Sequence, residues 1–185
     1  MDWQPVLEGD RLLLRPLEPE DWDALFAVAS DKRIWEIHPA HDRWQEPVFR
    51  AFFSDALAGG GAIVVIDKAS GAIIGSSRWE GYDPSSQVTT GGGSIEIGWT
   101  FLAPGYWGGS FNREMKRLML SHAFQYLERV VFRIGETNWR SRKAMERIGG
   151  RLTDVQESKH LGGRDVPHVI YEITAKSFAE GPLAL

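Results

Sequence analysis

Residues 94–102 show the clearest alternation of hydrophobic and polar positions in the chain. Every second residue there is apolar, which is the period of a strand with two different faces. Residues 103–105 read Ala-Pro-Gly and end this strand. Hydrophobic residues recur at helical spacing after residues 108–110, so a helix is predicted to begin near Phe111 or Asn112. The stretch therefore predicts a strand, a glycine-rich turn and a helix.

The N-terminal half predicts strands and helices in alternation. Apolar runs with turn residues between them indicate strands, and apolar residues at helical spacing indicate helices. The predicted elements are a strand at 11–16, a short helix starting at 18–21, a loop with one helical turn at 31–46, a helix at 48–57, and a hairpin of strands 62–67 and 71–82.

A Ser/Thr/Gly loop at 83–93 precedes the strand of residues 94–102. The same periodicities of apolar residues predict the elements in the rest of the chain. The remaining predicted elements are the long helix, a strand at 130–135, a helix at 139–148 capped by Asn138, and a hairpin of strands 152–161 and 166–174. This order predicts an α+β fold in three layers, with a mixed, mostly antiparallel central sheet of about seven strands and flanking helices. The long helix is expected to connect two parallel neighbours.

Composition narrows the class of protein. The chain has 185 residues, 43% of them hydrophobic and 25% charged, which fits a single domain over residues 1–185. Its net charge of −4 argues against nucleic-acid and membrane-surface partners, which need a basic face. There is no cysteine, so disulfides, thiolate metal sites and a cysteine nucleophile are excluded. Neither a signal peptide nor a membrane span is indicated, so a cytoplasmic protein is expected.

The turn before the long helix is the first candidate binding site. A helix N-terminus has backbone N–H groups without intrahelical partners, and these suit a phosphate or pyrophosphate. Basic residues outnumber acidic ones between residues 111 and 151, and Arg113 and Lys116 are expected to add positive charge beside the phosphates. Neither of the two common nucleotide motifs is present, so a plain turn is the alternative interpretation.

Four sequence segments carry a resemblance to a known family. They are LEGDRLLLRPLEPEDWDAL, IEIGW, PGYWGGSFNRE and NWRSRKAMERIGG. In this order and spacing they resemble the GNAT acetyltransferases, and more narrowly the RimJ/RimL-like branch, over almost the whole chain. The resemblance implies transfer of an acetyl group from acetyl-CoA to the amine of a protein N-terminus or of a small molecule.

The resemblance also implies which residues hold acetyl-CoA. The family's pyrophosphate loop, Q/R-x-x-G-x-G/A, falls on residues 107–112, with Trp107, Ser110 and Asn112 replacing the usual residues at its three defined positions. A backbone N–H of the fourth strand binds the oxyanion in the family. The implied cofactor contacts are Trp99, Thr100, Phe101, Trp107, Gly108, Gly109, Ser110, Phe111, Asn112, Arg113, Asn138 and Ser141.

Amine acetylation needs a base for the amine and a proton for the departing thiolate. Glu96 matches a strand glutamate that acts as base in one branch of the family, and Glu80 is the second candidate. A solvent-facing or salt-bridged carboxylate is the alternative for Glu96. Many relatives place a tyrosine acid where this chain has Met145, which cannot donate a proton. Ser141 matches a serine of the RimJ/RimL branch that faces the cofactor sulfur, so the resemblance implies that Ser141 donates the proton or holds a water, with a helix-capping residue as the alternative.

Acceptor recognition is the least constrained part of the prediction. Trp35, Trp79 and Tyr82 are candidate pocket residues, with ordinary core packing as the alternative. His38 and His41 lack a third ligand of matching type, so no metal site is predicted, and loop residues that line a substrate site or face solvent are the favoured interpretation. A homodimer is left open. The alternative functions are a catalytically weak CoA-binding or regulatory module and, more remotely, a metal hydrolase.

Overall fold

The computed structural model describes residues 2–83, 93–161 and 163–184. The strands in these residues are β1 (Leu7–Glu8), β2 (Leu12–Pro16), β3 (Ala62–Asp67), β4 (Ile73–Asp83), β5 (Ser94–Leu102), β6 (Arg129–Gly135), β7 (Arg151–Leu161) and β8 (Arg164–Thr174). The helices are α1 (Trp22–Ala29), α2 (Glu46–Gly59), α3 (Ser110–Ala123), α4 (Trp139–Arg147) and α5 (Ala175–Ala179), with 3-10 turns at Pro19–Asp21, Lys32–Ile34 and Pro104–Tyr106.

These strands form one eight-stranded sheet in the order β1-β2-β3-β4-β5-β6-β8-β7. The pair β5–β6 is parallel, and the other pairs are antiparallel. The mixed, mostly antiparallel sheet and the parallel pair joined by the long helix are therefore confirmed. The additional strand is β1, whose two residues are too short to show a periodic pattern. The loop predicted at residues 83–93 lies almost entirely outside the described residues.

Helices cover both faces of the sheet, which confirms the three layers. One core cluster packs α3 and α4 against the sheet, through side chains that include Met115, Met119 and Met145. The second cluster packs α1 and α2 on the opposite face, around Phe49 and Phe101. No helix within the described residues is long and apolar enough to cross a membrane.

Strands β5 and β6 stay paired over a short distance only. Their register runs from Ser94 opposite Arg129 to Glu96 opposite Val131. Beyond these residues the two strands share no further ladder positions, although β5 continues to Leu102 and β6 to Gly135. A gap between two neighbouring strands of the sheet is the result.

A β-bulge in β5 corrects the predicted alternation. Phe101 lies opposite Ser76, and Gly98 lies opposite Arg78, so β5 has one residue more than β4 over this interval. Trp99, within the bulge, has φ 53°, a left-handed conformation that is uncommon for residues other than glycine. The extra residue reverses the faces of the strand, so Phe101 packs with α1 and α2, whereas Ile97 packs with α3.

Candidate active site

A cavity of about 450 Å³ occupies the gap between β5 and β6. Its walls come from the bulge of β5, the N-terminal half of α3, helix α4, the end of β6, and the loop after the 3-10 turn Lys32–Ile34. Because the gap passes through the sheet, the cavity is lined on one side by residues of α3 and α4 and on the other by Trp35 and His38. Residues from both faces of the sheet therefore contribute to one cavity.

Most of the predicted cofactor residues line this cavity. Those that do are Trp99, Thr100, Phe101, Trp107, Gly108, Gly109, Asn112, Arg113, Asn138 and Ser141. Ser110 and Phe111 are not among the lining residues. The Ser110 hydroxyl accepts a hydrogen bond from the Arg11 guanidinium, and the Phe111 ring packs edge-on against Tyr106 at 4.9 Å. The side chains of Ser110 and Phe111 thus face away, and their backbone N–H groups remain as the possible contacts.

The N-terminus of α3 has the features of an anion site. Its N-cap is Gly109, which provides no side-chain hydrogen bond, and its first turn contains no acidic residue. Gly108 has φ 72°, and a Cβ atom at this residue would meet nothing within 4 Å, so glycine is favoured there by the backbone conformation rather than by crowding. The uncapped N–H groups and the positive end of the helix dipole therefore open onto the cavity.

Trp107 fixes the turn before α3. Its indole Nε1–H donates to the Leu102 carbonyl at 2.8 Å, which ties the turn to the end of β5. The Arg140 guanidinium lies over the Trp107 ring, 4.0 Å from its centroid, and also donates to the Arg33 carbonyl at 3.1 Å. Arg113, on the opposite wall, donates to the Pro182 carbonyl. Cationic side chains thus flank the cavity at both helix N-termini.

Asn138 and Ser141 lie at the start of α4. The Asn138 Oδ1 accepts a hydrogen bond from the Ser141 N–H at 3.3 Å, so the predicted N-cap is confirmed. The Ser141 hydroxyl has no hydrogen-bond partner among the described residues, so it is not used as a cap. Met145 is buried and lines the same wall, one turn further along α4. Ser141 therefore keeps a hydroxyl available for a ligand, whereas Met145 has no proton to give.

Lys116 differs from its predicted position. Its ammonium Nζ lies 2.6 Å from Thr100 Oγ1 and 3.4 Å from Ser77 Oγ, beneath the bulge instead of beside the helix N-terminus. The reason is that α3 begins at Ser110, so Lys116 belongs to the second turn and points toward the sheet. The residue is 4% exposed, and this burial lowers the pKa of Lys116 to about 7.

Glu96 is 7% exposed and does not line the cavity. Its Oε2 accepts a hydrogen bond from the Arg133 guanidinium at 2.8 Å, and its Oε1 lies 3.9 Å from Lys159 Nζ. Arg133 also bonds to Glu157 at 2.8 Å, and it is Arg133 that reaches the cavity. Glu96 occupies the last paired position before β5 leaves β6, and the cavity begins one residue later at Ile97.

The other predicted residues of β4 lie away from the cavity. Glu80 pairs with Arg78, with Oε2 3.2 Å from Nε. Trp79 is buried in the core beside α3, against His122, and Tyr82 is 46% exposed and packs edge-on against Trp3. The structure does not bring these three residues to the site, because β5 lies between β4 and the gap. Trp35 does line the cavity.

Two histidines, His38 and His168, line the cavity. The sequence predicts that His38 lines a substrate site or faces solvent, and it predicts no role for His168. The Nδ1 of His38 accepts the Ala40 N–H at 2.9 Å, so the neutral ring carries its proton on Nε2. Burial lowers the pKa of His38 to about 3, with added repulsion from Arg43 and His168, so this ring stays neutral. His38 therefore acts as a hydrogen-bond donor and is unsuited to accept a proton.

His168 has the opposite arrangement. Its Nδ1 lies 2.8 Å from the Val166 carbonyl oxygen, which only accepts, so Nδ1 carries the proton. Its Nε2 has no partner among the described residues, and the ring lines the cavity. His168 is one ordinary polar residue in a strand pattern, so no spacing motif could have identified it. The described residues contain no cluster of three or more His, Asp or Glu side chains able to hold a metal.

An uncapped helix N-terminus and a bulged strand, joined by a gap between parallel strands, match the site expected for an acyl-CoA-dependent acyltransferase. The chain belongs to the GNAT acetyltransferase family, because the family model described as "Acetyltransferase (GNAT) domain" matches residues 11–151. This confirms the resemblance seen in the sequence. The family uses acetyl-CoA, and the residues that line the donor side of the cavity fit it, since they offer free helix N–H groups and cationic side chains.

Solved structures show the same fold. RimJ from Mycobacterium smegmatis, in complex with CoA-disulfide, superposes with a TM-score of 0.74 at 19% identity, covering 98% of this chain and 93% of that chain. A GNAT-family acetyltransferase from Bacillus anthracis gives 0.74 at 22% identity, with coverage of 93% and 99%. The ribosomal-protein-S5-alanine acetyltransferase from Vibrio fischeri gives 0.66 at 17% identity, with coverage of 92% and 96%.

Proposed function

We propose that this protein transfers the acetyl group of acetyl-CoA to a primary amine by direct attack in a ternary complex. The observation that carries the proposal is one cavity that joins the uncapped N-terminus of α3 to the bulge at Trp99 and has walls from both faces of the sheet. A donor on one face and an acceptor on the other can then meet at the bulge. With no cysteine in the chain, an acyl-cysteine intermediate is excluded.

Residue roles follow from this geometry. The N–H groups of residues 108–112, with Arg113, bind the pyrophosphate. Asn138 and Ser141 contact the pantetheine arm from α4. The backbone N–H groups of residues 99–101 stabilise the oxyanion that develops when the thioester is attacked. Bound acetyl-CoA supplies an activated acyl carbonyl, and the residues of the chain align it with the amine.

For the base we propose His168 rather than Glu96. The acceptor amine must lose a proton before it attacks, and a base must lie within hydrogen-bond reach of it. His168 presents to the cavity an Nε2 that has no partner among the described residues, whereas the Glu96 carboxylate does not line the cavity and is paired with Arg133 and, at a longer distance, with Lys159. Glu96 would then act indirectly, by holding Arg133 at the edge of the cavity.

The acceptor class rests on the chemistry of the site and on the relatives. One of the structural neighbours is named as an acetyltransferase of an alanine of ribosomal protein S5, so a peptide with a free N-terminal amine is the first acceptor to try, and small-molecule amines are the second. We propose a cytoplasmic location for such a reaction. The homodimer considered from the sequence remains a proposal.

Two measurements on the wild-type protein test this function. Isothermal titration should show binding of CoA and acetyl-CoA. A thiol-detecting assay with acetyl-CoA and a panel of N-terminal peptides and small amines should show acceptor-dependent release of CoA. Absence of binding at millimolar ligand would contradict the cofactor site. Binding without release for every acceptor would favour the alternative, a catalytically weak CoA-binding or regulatory module.

A further inference from the structure

The Lys116 ammonium is a buried charge without a carboxylate partner. It donates to the Thr100 hydroxyl at 2.6 Å and to the Ser77 hydroxyl at 3.4 Å, and no carboxylate of the described residues forms an ion pair with it. An ammonium has three N–H bonds, so one is left without a protein acceptor in the described part of the chain. Lys116 also lines the cavity.

Packing and stability do not account for a lysine at this position. Ser77 and Thr100 already hydrogen-bond to each other at 2.7 Å, so their hydroxyl groups do not need Lys116. A buried ammonium without a carboxylate partner lowers stability even though two hydroxyl groups and the Phe132 ring face it, and a methionine or leucine of similar volume would avoid this penalty. A residue that costs stability and faces a ligand cavity is a candidate for chemistry.

The position of Lys116 places its proton near the reacting atoms. Its partner Thr100 belongs to the bulge whose backbone is proposed to hold the oxyanion, so the thioester sulfur is expected close by. On the facing helix α4, Met145 offers no proton, and the Ser141 hydroxyl, the acid that the resemblance implies, is a weaker acid than an ammonium. We infer that Lys116 is the donor of the proton that the departing CoA thiolate takes up, an inference that rests on the proposed function.

The step balances as follows. The neutral acceptor amine forms a bond to the acetyl carbonyl carbon, and the C–S bond breaks with its electron pair on sulfur. The Lys116 ammonium gives one proton to that sulfur, which leaves as the thiol of CoA. The neutral Lys116 amine then takes up the proton that the acceptor nitrogen loses on becoming an amide, and the site returns to its starting state.

The acidity of Lys116 suits this role. Burial alone lowers its pKa to about 7, and a free thiol has a pKa of about 8.5, so the transfer from ammonium to thiolate is favourable. The charged and titratable groups that share the cavity are Arg113 of its own helix, Arg140 and Arg147 of α4, Arg133 of β6, Tyr106 of the 3-10 turn Pro104–Tyr106, His38 of the loop and His168 of β8. The guanidinium groups keep their charge across the working pH range.

Lys116→Met is the test, with Lys176→Met, the same change at an exposed lysine of α5, as its matched control. Lys116→Met should lower kcat by roughly 10²–10⁴ while calorimetry still shows CoA binding. The wild-type kcat should decrease as the pH rises and Lys116 loses its proton. This decrease should be absent from the pH profile of the variant. The control should behave as wild type.

Two measurements without acetyl-CoA accompany the kinetics. The thermal midpoint of Lys116→Met should equal or exceed that of wild type, since the variant removes an unpaired buried charge. The side-chain amine of Lys116 should titrate near pH 7 by NMR, well below the values of exposed lysines near 10.4. A lowered thermal midpoint with lost activity would assign Lys116 to structure and overturn the inference.

The remaining outcomes separate this inference from the proposed function. If wild type releases thiol and Lys116→Met does so equally fast, Lys116 is not the donor while the function stands. If wild type releases none with any amine, the proposed function itself fails. Mass spectrometry after turnover provides a further test, because acetylation of Lys116 would make it a nucleophile and overturn its role as proton donor.

Discussion

At the scale of single residues, the site depends on which hydrogen-bond partner each titratable group has. His168 donates through Nδ1 to a backbone carbonyl and keeps Nε2 open, whereas His38 accepts through Nδ1 and presents a proton. Two histidines that share a cavity wall are thereby given opposite roles. Glu96 is a third case, because Arg133 binds its Oε2 and the carboxylate does not line the cavity.

Separate substitutions of His168 and Glu96 distinguish the two candidate bases. His168→Gln should lower kcat/KM by roughly 10²-fold or more, because the amine loses its proton acceptor. Glu96→Gln should lower kcat/KM much less, since this change only loosens the hold on Arg133. Steady-state kinetics with one good acceptor checks both variants. A large loss in Glu96→Gln together with near-normal activity in His168→Gln would return the role of base to Glu96.

At the scale of elements, the turn before α3 determines how closely a pyrophosphate can approach. The left-handed residue of this turn is Gly108, two residues before Ser110, which is already the first residue of the helix. A serine is tolerated there because a helical conformation does not need glycine, and its hydroxyl is held by Arg11. The glycine that the family motif places centrally is thus shifted within the turn.

Gly108→Ala should affect both stability and cofactor binding. An alanine with positive φ lowers folding stability by roughly 1–2 kcal/mol. Relief of this strain would turn the first N–H groups of α3 away from the ligand. CoA affinity by calorimetry should therefore fall. Gly71→Ala is the matched control, since Gly71 has φ 70° in the β3–β4 turn and equally open space around it. The control should lose similar stability and keep its CoA affinity; equal affinities for both variants would contradict the site.

At the scale of the whole molecule, the cavity lies where the two cores on opposite faces of the sheet come together. It exists because β5 and β6 separate after Glu96 and Val131, and because the bulge turns β5 over between them. Burial of the Lys116 ammonium in this gap lowers the stability of the whole domain. The cost is therefore measurable in the free energy of unfolding.

The stability difference between Lys116→Met and wild type should depend on pH. Below pH 7 the lysine is charged in the folded and unfolded states alike, so the full penalty of burial acts on wild type. Between about pH 7 and the ordinary value of 10.5, the unfolded state binds the proton that the folded state has lost, so wild-type stability rises with pH. Denaturant unfolding at several pH values should show the advantage of the variant shrinking over this range. A constant difference would mean that Lys116 titrates normally.

The sequence by itself determined the order of the elements apart from β1 and α5, the glycine-rich turn and the family. Periodicity and caps are local properties, which is why α3, α4 with its Asn138 cap, and the hairpins could be predicted within a few residues. The family motifs likewise identified most of the residues on the cofactor side of the cavity.

Only the tertiary structure decided what each side chain faces. The bulge at Trp99 depends on pairing with β4, and no spacing within β5 reveals it. The ion pair of Glu96 with Arg133, the burial of Lys116 and the convergence of His38 and His168 join residues far apart in the chain. Proton affinities follow from these neighbours and from the loss of water, so the groups available for acid–base chemistry could be assigned only after folding.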